Sequence, residues 1–350
     1  LNIGAILPIH QHSNTSPCGD KLRESGVVQY VEAIAFAINQ INQDQTLLDG
    51  IKLGMVVLDD CDSAETSLGQ SLHFMPLQSI QTKKEDCPTG CTDYKDDEYM
   101  FYDVVGVIGT EGSDASMMIA NVLKLFQLPQ ISPFSTSDLL SEKKKYPYFM
   151  RTVPPDRFQV EAMLHLILHF NWTYIATVYT EGGYGEEAFE LFQVLIEQEK
   201  SICIGKAITV TPEDSVARYR RTVQALYDSK VLVVVLFTDQ EEVRAILSAA
   251  KSLGLVGQFV WIGSDGMAIN IDDFDGLEDV IWGSLSLLSY SVPVPEFQNY
   301  FESINPLKTP NPWFKEMWGE MFKCTFEPDR EPDLPLCTNK HKLSDSPDYT

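Results

Sequence analysis

Short apolar runs and longer amphipathic segments alternate along this chain, and that alternation limits its fold more than any other feature. A strand followed by a helix, repeated many times, forms parallel sheets because each helix returns the chain to the same end of the sheet. The predicted strands are Asn2–Leu7, Gly54–Leu58, Val104–Ile108, Pro129–Ser132, Tyr174–Val178, Ser201–Ile208, Val231–Phe237 and Phe259–Ile262. The predicted helices are Val28–Ile41, Ala115–Leu125, Phe158–Phe170, Glu186–Glu197, Ala217–Tyr227 and Glu241–Leu253. The sequence therefore predicts an α/β fold.

The length of the chain predicts two lobes. Its 350 residues, of which 44% are hydrophobic, exceed the size at which a single core stops growing. Two extended, proline-containing stretches, Arg151–Asp156 and Ser286–Pro295, are the expected crossings between the lobes. We expect residues 1–153 in the first lobe, residues 154–290 in the second, and residues 291–350 returning to a first lobe that they leave incomplete.

The charge of the chain argues against several classes of partner. A formal net charge of −24 and a pI near 4.5 disfavour binding to nucleic acid or to anionic membranes, which attract patches of Lys and Arg. The longest apolar run, Val231–Phe237, is far shorter than the ~20 residues of a membrane-spanning helix, and no signal peptide opens the sequence. We expect a soluble segment with an acidic surface and its leader removed.

One loop has the features of an anion site. Residues Gly109–Ser116 follow a predicted buried strand and open a predicted helix. This position directs free backbone N–H groups and the positive end of the helix toward an anion. Ser113 can donate to that anion, although a lone serine at a helix start also serves as an N-cap.

Four more polar residues lie at strand ends, in turns or at helix starts. Thr136 and Asp265 each follow a predicted strand, Asp156 precedes a predicted helix, and Tyr184 lies in a glycine-rich turn. The carboxyl ends of parallel strands form the usual ligand-binding edge of such sheets. Taken singly, each residue also has a structural explanation as a helix cap or a turn residue.

The segment from Val107 to Tyr184, which carries four of these five residues, resembles the extracellular amino-acid-binding domain of class C G-protein-coupled receptors, most of all the metabotropic glutamate receptors. The resemblance extends over the whole chain. It implies a bilobal clamshell of the type I periplasmic-binding-protein kind, with a mostly parallel sheet flanked by helices in each lobe. It also implies the ectodomain of a plasma-membrane receptor that pairs with a second subunit, identical or different, and signals to a G protein.

The resemblance assigns a role to each of the five candidate residues. Ser113 matches the residue that binds the α-carboxylate of an amino acid, and Thr136 matches one that contacts both head-group charges. Asp156 and Asp265 match two acidic residues near the ammonium group. Tyr184 matches an aromatic residue that lies against the ligand, where its ring can contribute ~0.5–2 kcal/mol by cation–π attraction.

The chain departs from the glutamate receptors where they hold the distal carboxylate of glutamate. Tyr30 occupies the position of a key arginine, Gly26 that of a tyrosine, and Asn270 that of a basic residue. Asp62 and Asp239 align with the same region. Burial of an unpaired carboxylate costs several kcal/mol, so we expect an L-amino acid with a neutral or basic side chain rather than glutamate.

Seven cysteines are present, without the spacing of a zinc site. The resemblance implies that Cys18 pairs with Cys61 and Cys324 with Cys337, while Cys203 matches a cysteine that bonds to a separate cysteine-rich module. It also places Cys87 and Cys91 in a loop that forms disulfides between subunits; a local disulfide between these two is the alternative.

Two sequons, at Asn14 and Asn171, permit glycosylation and agree with an extracellular location. The resemblance further places Ser135 at the ligand beside Thr136. It implies no cofactor and no metal.

The resemblance also implies a mechanism. The amino acid docks on the first lobe through Ser113 and Thr136, and Tyr184 and Asp265 from the second lobe close over it. The apolar segment Met117–Phe126 and the loop with two cysteines are candidate dimer contacts, although apolar helix faces are more often core. A soluble periplasmic-type binding protein that does not signal is the alternative, and the cysteines argue against it.

An enzyme is the third hypothesis, and the sequence gives it little support. The glycine-rich segment Gly182–Gly185 lacks the ending of a phosphate-binding loop, and neither a GxSxG nor an HExxH motif occurs. His165 and His169 have the spacing of a helical metal pair but no adjacent glutamate. We therefore expect no catalytic activity.

Overall fold

The chain folds into two compact units. The computed structural model describes residues 1–13, 16, 18–23, 25–75, 101–268, 274–328, 332–338 and 340–346. The first unit comprises Leu1–Phe134, Tyr146–Thr152 and Val292–Thr350, and the second comprises Ser135–Lys145 and Val153–Ser291. Residues 135–145, which we expected in the first lobe, therefore group with the second unit.

The elements alternate along the chain. The strands are β1 (Asn2–Leu7), β2 (Gly54–Asp59), β3 (Val107–Ile108), β4 (Gln130–Ser132), β5 (Phe149–Arg151), β6 (Tyr174–Thr180), β7 (Cys203–Val210), β8 (Val233–Phe237), β9 (Val260–Gly263) and β10 (Leu285–Ser286). The helices are α1 (Ser25–Gln43), α2 (Ala64–Leu72), α3 (Ser113–Leu123), α4 (Asp156–His169), α5 (Gly185–Glu199), α6 (Val216–Asp228), α7 (Gln240–Ser252), α8 (Asp265–Ala268), α9 (Glu278–Ile281), α10 (Pro295–Glu302) and α11 (Pro312–Phe322).

The first unit is built on a parallel sheet with the strand order β2-β1-β3-β4-β5. Successive side chains of a strand point to opposite faces, and β1 is apolar on both. Ala5 and Leu7 pack with residues of α1 and α11, whereas Ile6 packs with Ile119 and Leu123 of α3. Burial on both faces explains why β1 has no alternation of polar and apolar residues.

The second unit repeats this design with the order β10-β9-β8-β6-β7, again parallel throughout. All five residues of β8 are buried. Val234 and Leu236 pack with α6 and α7, while Val235 and Phe237 pack with α4 and α5. The fully buried Trp261 of β9 belongs to the first of these two cores.

Two disulfides lie in the first unit. Cys18 is bonded to Cys61, and Cys324 is bonded to Cys337. The first links the segment after β1 to the segment after β2, and the second closes a loop after α11. Both pairs are those that the resemblance to class C receptors implies.

A histidine in the segment after β1 contacts two elements of the same unit, β2 and α11. The Nδ1 atom of His10 lies 2.5 Å from the carboxylate of Asp59 at the end of β2, and Nε2 lies 3.1 Å from the carboxylate of Glu316 in α11. Since each ring nitrogen faces a carboxylate oxygen, both nitrogens act as donors and the imidazole is charged in this arrangement.

The predicted α/β fold with parallel sheets is confirmed. Every predicted strand and helix is present, although the strand expected at Val104–Ile108 is confined to β3. Seven elements were not predicted from the sequence, which are α2, α8, α9, α10, α11, β5 and β10.

Candidate ligand-binding site

The second unit gathers several of the predicted site residues at the carboxyl ends of its strands. Tyr184 lies between β6 and α5, Asp239 follows β8, and Asp265 opens α8 directly after β9. Asp156 is the first residue of α4, and Thr136 lies beside it because the Asp156 N–H donates to the Thr136 carbonyl at 2.9 Å. With Ser135, which precedes Thr136, six sequence-predicted ligand residues share one unit.

Two glycines allow this edge to pack tightly. A Cβ atom on Gly185 would lie 2.4 Å from the Thr180 hydroxyl and 2.5 Å from the Phe237 carbonyl. A Cβ atom on Gly266 would lie 2.2 Å from the Thr238 carbonyl. Only glycine fits at these approaches, which bring Tyr184 and Asp265 against the ends of β6 and β8.

Asp265 is held by several hydrogen bonds on one side of its carboxylate. Its Oδ1 atom accepts from the Tyr184 hydroxyl at 2.6 Å, from Gln159 Nε2 at 3.1 Å and from the Gly266 N–H at 3.2 Å. Its own N–H donates to Gln159 Oε1 at 2.8 Å. The Oδ2 atom has no hydrogen-bond partner among the described residues and is available to a ligand.

Asp156 is a buried carboxylate without a counter-charge. Its side chain is 2% exposed, and neither of its oxygens has a hydrogen-bond partner among the described residues. Burial raises the pKa of Asp156 to about 8, and the negative charge of Asp265 adds to the effect. The Thr136 hydroxyl lowers this pKa in part, although its geometry toward the carboxylate does not satisfy a hydrogen bond.

Tyr184 acts in this unit as a hydrogen-bond donor. Burial raises its pKa well above the ordinary value, and the carboxylates of Asp265, Asp156 and Asp239 raise it further. The phenol is therefore neutral and keeps its proton on the side of Asp265. The resemblance gives Tyr184 only a ring contact with the ligand, whereas in the structure its hydroxyl also holds Asp265.

The segment 135–145 is attached to the second unit by polar contacts. The Ser137 hydroxyl donates to Glu187 of α5, and Asp138 accepts from the Arg157 N–H at 2.9 Å and pairs with its guanidinium at 3.4 Å. Burial raises the pKa of Glu187 despite the Ser137 hydroxyl. The cation beside the cluster, Arg157, is thus already paired.

This cluster suits a small cation with several donors. Three carboxylate oxygens, both of Asp156 and Oδ2 of Asp265, lack partners among the described residues. An ammonium group has three donors and a charge that offsets the mutual repulsion of the carboxylates. The arrangement is therefore chemically complementary to a small cation of this kind.

The first unit contains the predicted anion loop. Ser113 begins α3 and is buried, and the preceding Gly112 has an extended conformation at the N-cap. Beneath the loop, Gln130 Nε2 donates to the Gly109 carbonyl at 2.9 Å, and the Ser132 hydroxyl donates to the Thr110 carbonyl at 2.7 Å. These buried bonds fix the loop that precedes the helix.

A compact charge cluster lies near this loop. Arg23 contacts the Glu111 carboxylate at 2.5 Å and the Asp62 carboxylate at 3.2 Å. Burial raises the pKa of Glu111, Arg23 lowers it and Asp62 raises it. One guanidinium is shared by two carboxylates, so the cluster carries an excess of negative charge when both are ionised.

The residues at the distal positions are placed as follows. The Tyr30 ring lies 5.0 Å from the Phe134 ring, and a Cβ atom on Gly26 would have no neighbour within 4 Å. Ser135 is buried in the second unit, and Asp239 is the exposed N-cap of α7. Asn270 lies outside the described residues.

Other predicted sites are distributed over the surface. Asn171 is exposed in the turn after α4, and Cys203 is an exposed free thiol at the start of β7. Cys87, Cys91 and Asn14 lie outside the described residues. Ser113 and Tyr30 belong to the first unit, whereas the other six predicted ligand residues belong to the second.

Gln159 and Glu187 were not among the residues predicted from the sequence. Gln159 lies three residues after Asp156, a spacing that places both side chains on one face of α4, and this signal was available in the sequence. The contact between Glu187 and Ser137 joins residues 50 positions apart, and no local pattern indicates it.

A sequence model of one family, described as the receptor family ligand binding region, matches residues 29–345. The chain belongs to this family. Its members' ligand-binding regions are extracellular or periplasmic. No helix among the described residues has both the length and the apolar character needed to cross a bilayer.

Proposed function

We propose that this receptor-family ligand-binding region is the ectodomain of a metabotropic-glutamate-receptor-like class C receptor and binds an L-amino acid with a neutral or basic side chain. The observation that carries the proposal is the pair of Asp156 and Asp265 in the second unit, with three carboxylate oxygens that lack partners among the described residues. Free carboxylates in a buried position are costly unless a cation joins them, and the ammonium of an amino acid is such a cation.

The head-group carboxylate has a complementary partner in the first unit. Ser113 lies in the first turn of α3, where backbone N–H groups and the helix dipole favour an anion. An amino acid carries both an ammonium and a carboxylate, and each of these charges has a complementary group in one of the units.

The side chain of the ligand is inferred from charge. Arg23, the basic residue near the anion loop, is shared by Glu111 and Asp62. A ligand with a distal carboxylate would have to compete with both of them for this guanidinium. A neutral side chain avoids that competition, and a basic one gains from the excess negative charge.

Signalling is the second part of the proposal. Two disulfides and the exposed Cys203 favour an extracellular receptor over a soluble binding protein. Met118 and Leu125 present apolar surface at the Met117–Phe126 segment, which is the candidate contact with a second subunit. In this proposal, ligand binding changes the arrangement of two subunits at the plasma membrane and activates a G protein.

Thermal unfolding of the full chain with each of the twenty L-amino acids tests the ligand. An amino acid at 100 times its dissociation constant adds ~2.7 kcal/mol of stability, which is readily detected. We expect a shift with neutral or basic amino acids that Asp265→Asn and Ser113→Ala abolish. Asp228→Asn, at the exposed end of α6, is the matched control and should leave the shift intact.

A shift with glutamate alone would refute the inferred side chain while leaving the head-group site in place. A shift that persists in Asp265→Asn would refute the ammonium site. The absence of a shift with every amino acid would overturn the proposed ligand class.

A further inference from the structure

We propose that Gln159 is a positioning residue of the ammonium site, because its amide group fixes Asp265 with one carboxylate oxygen occupied and the other available. This inference rests on the proposed function, since it assigns a role within the same site. Gln159 is not expected to touch the ligand, and it acts through Asp265.

The contact between the two residues is reciprocal. Gln159 Nε2 donates to Asp265 Oδ1 at 3.1 Å, and the Asp265 N–H donates to Gln159 Oε1 at 2.8 Å. One side chain of α4 therefore holds both the backbone and the carboxylate of the residue that opens α8. The two residues are 106 positions apart, so this bond also joins distant segments of the second unit.

The bond determines which oxygen of Asp265 can receive a ligand. Oδ1 accepts from Gln159, from the Tyr184 hydroxyl at 2.6 Å and from the Gly266 N–H at 3.2 Å. Three donors occupy the lone pairs of this oxygen and restrict rotation of the carboxylate. Oδ2 is therefore already oriented toward the ammonium before binding. Because the carboxylate does not lose further rotational freedom on binding, the entropic cost of association is lower.

Glutamine meets both requirements of this position. The group that faces Asp265 must accept from an N–H and donate to a carboxylate, and an amide does both. A carboxyl group at the same place can accept but donates only when protonated. Methionine has a similar length and can do neither, which makes it the variant that removes both bonds with little change in volume.

The test uses L-arginine and L-alanine as probes, with dissociation constants measured by calorimetry on the full chain. We expect Gln159→Met to raise the dissociation constant of whichever probe the wild type binds by ~10-fold. This is the effect expected for the loss of one hydrogen bond to a charged group. Gln224→Met is the matched control, because Gln224 is an exposed residue of α6 whose amide donates to Asp228 at 2.9 Å one helical turn away. It should change affinity by less than about two-fold.

Two measurements separate positioning from general destabilisation. Gln159→Met should add little to the loss caused by Asp265→Asn, because both variants remove the same interaction. For Gln159→Glu, the measured quantity is the dissociation constant of the variant divided by that of the wild type. This ratio should fall as the pH is lowered from about 7.5 to about 4.5, because the introduced carboxyl group becomes protonated and can donate again. Additive losses, or a ratio that does not change with pH, would overturn the inference.

A crystal structure of ligand-free Gln159→Met decides the matter even if neither probe binds the wild type. We expect the Asp265 carboxylate to rotate and its bond to Tyr184 to lengthen or break. An Asp265 side chain with an unchanged orientation would overturn the positioning role. Failure of the wild type to bind either probe would instead count against the proposed function, so the two failures are distinguishable.

Discussion

Replacement of Asp156 by asparagine should stabilise the second unit at alkaline pH and at the same time abolish ligand binding. The side chain is 2% exposed, and its pKa is raised from 3.8 to about 8, first by burial and then by Asp265. Between these two pKa values the folded state keeps a proton that the unfolded state has lost. The stability of the wild type therefore falls as the pH rises from about 4 to about 8, and it is level beyond both limits.

The size of the effect follows from the two pKa values. Each unit of pKa difference corresponds to ~1.4 kcal/mol, so the full difference gives ~6 kcal/mol as a ceiling. Relaxation and water entry reduce such penalties, and the helix N-terminus at Asp156 favours the charge by ~0.3–1 kcal/mol. We expect Asp156→Asn to match the wild type within ~1 kcal/mol near pH 4 and to exceed it by at least ~2 kcal/mol near pH 8.

Urea unfolding at a series of pH values, followed by tryptophan fluorescence, measures this difference, because Trp261 is fully buried in the core of the second unit and reports its unfolding. The chain has five tryptophans, and those of the first unit also contribute, so the transitions of the two units are fitted separately. Asp138→Asn is the control: its carboxylate is paired with Arg157, so its loss should cost ~0.5–1 kcal/mol near neutral pH. A stability difference for Asp156→Asn that does not vary with pH would refute the reasoning.

Three further predictions concern the two units separately. Gly266→Ala should destabilise the second unit by ~1–3 kcal/mol, because the added Cβ atom would lie 2.2 Å from a backbone carbonyl oxygen. Gly26→Ala in α1, where a Cβ atom has open space, should stabilise the first unit by ~0.5 kcal/mol. Urea unfolding measures both changes. Replacing Cys324 and Cys337 together with alanine should cost ~3 kcal/mol, the value for a loop of about this length, and an unchanged urea midpoint would contradict it. Burial lowers the pKa of His10, but its two flanking carboxylates outweigh burial and raise it. The resulting stabilisation is complete below the ordinary pKa of 6.5 and is lost as the pH rises through the raised value, so His10→Gln should lower the melting temperature more near pH 6 than near pH 9.

The sequence predicted the long elements well because their residues carry a strong periodic signal. Strand β8 consists of apolar, mostly β-branched residues, and helix α7 has one apolar face. Helix α2 was missed because its buried positions are the serines Ser67 and Ser71, which give no apolar stripe. Strands β5 and β10 have three and two residues, too few for a pattern to form.

The sequence indicates which residue types form the candidate site but not how they are connected. Asp156, Asp265 and Tyr184 were identified from strand ends, helix starts and family resemblance. The bond between Tyr184 and Asp265, and the reciprocal bond with Gln159, join segments that are far apart in sequence and depend on tertiary packing. The assignment of residues 135–145 to the second unit depends on contacts of the same kind.

That short segment changes how the two units are tethered. Because residues 135–145 interrupt the sequence of the first unit, the backbone passes between the units four times, at 134/135, 145/146, 152/153 and 291/292. Two bodies joined by a single linker can swivel about many axes, whereas each additional covalent passage removes directions of motion. The hydrogen bond between the backbones of Thr136 and Asp156 is internal to the second unit, although two of these four passages separate the two residues in sequence.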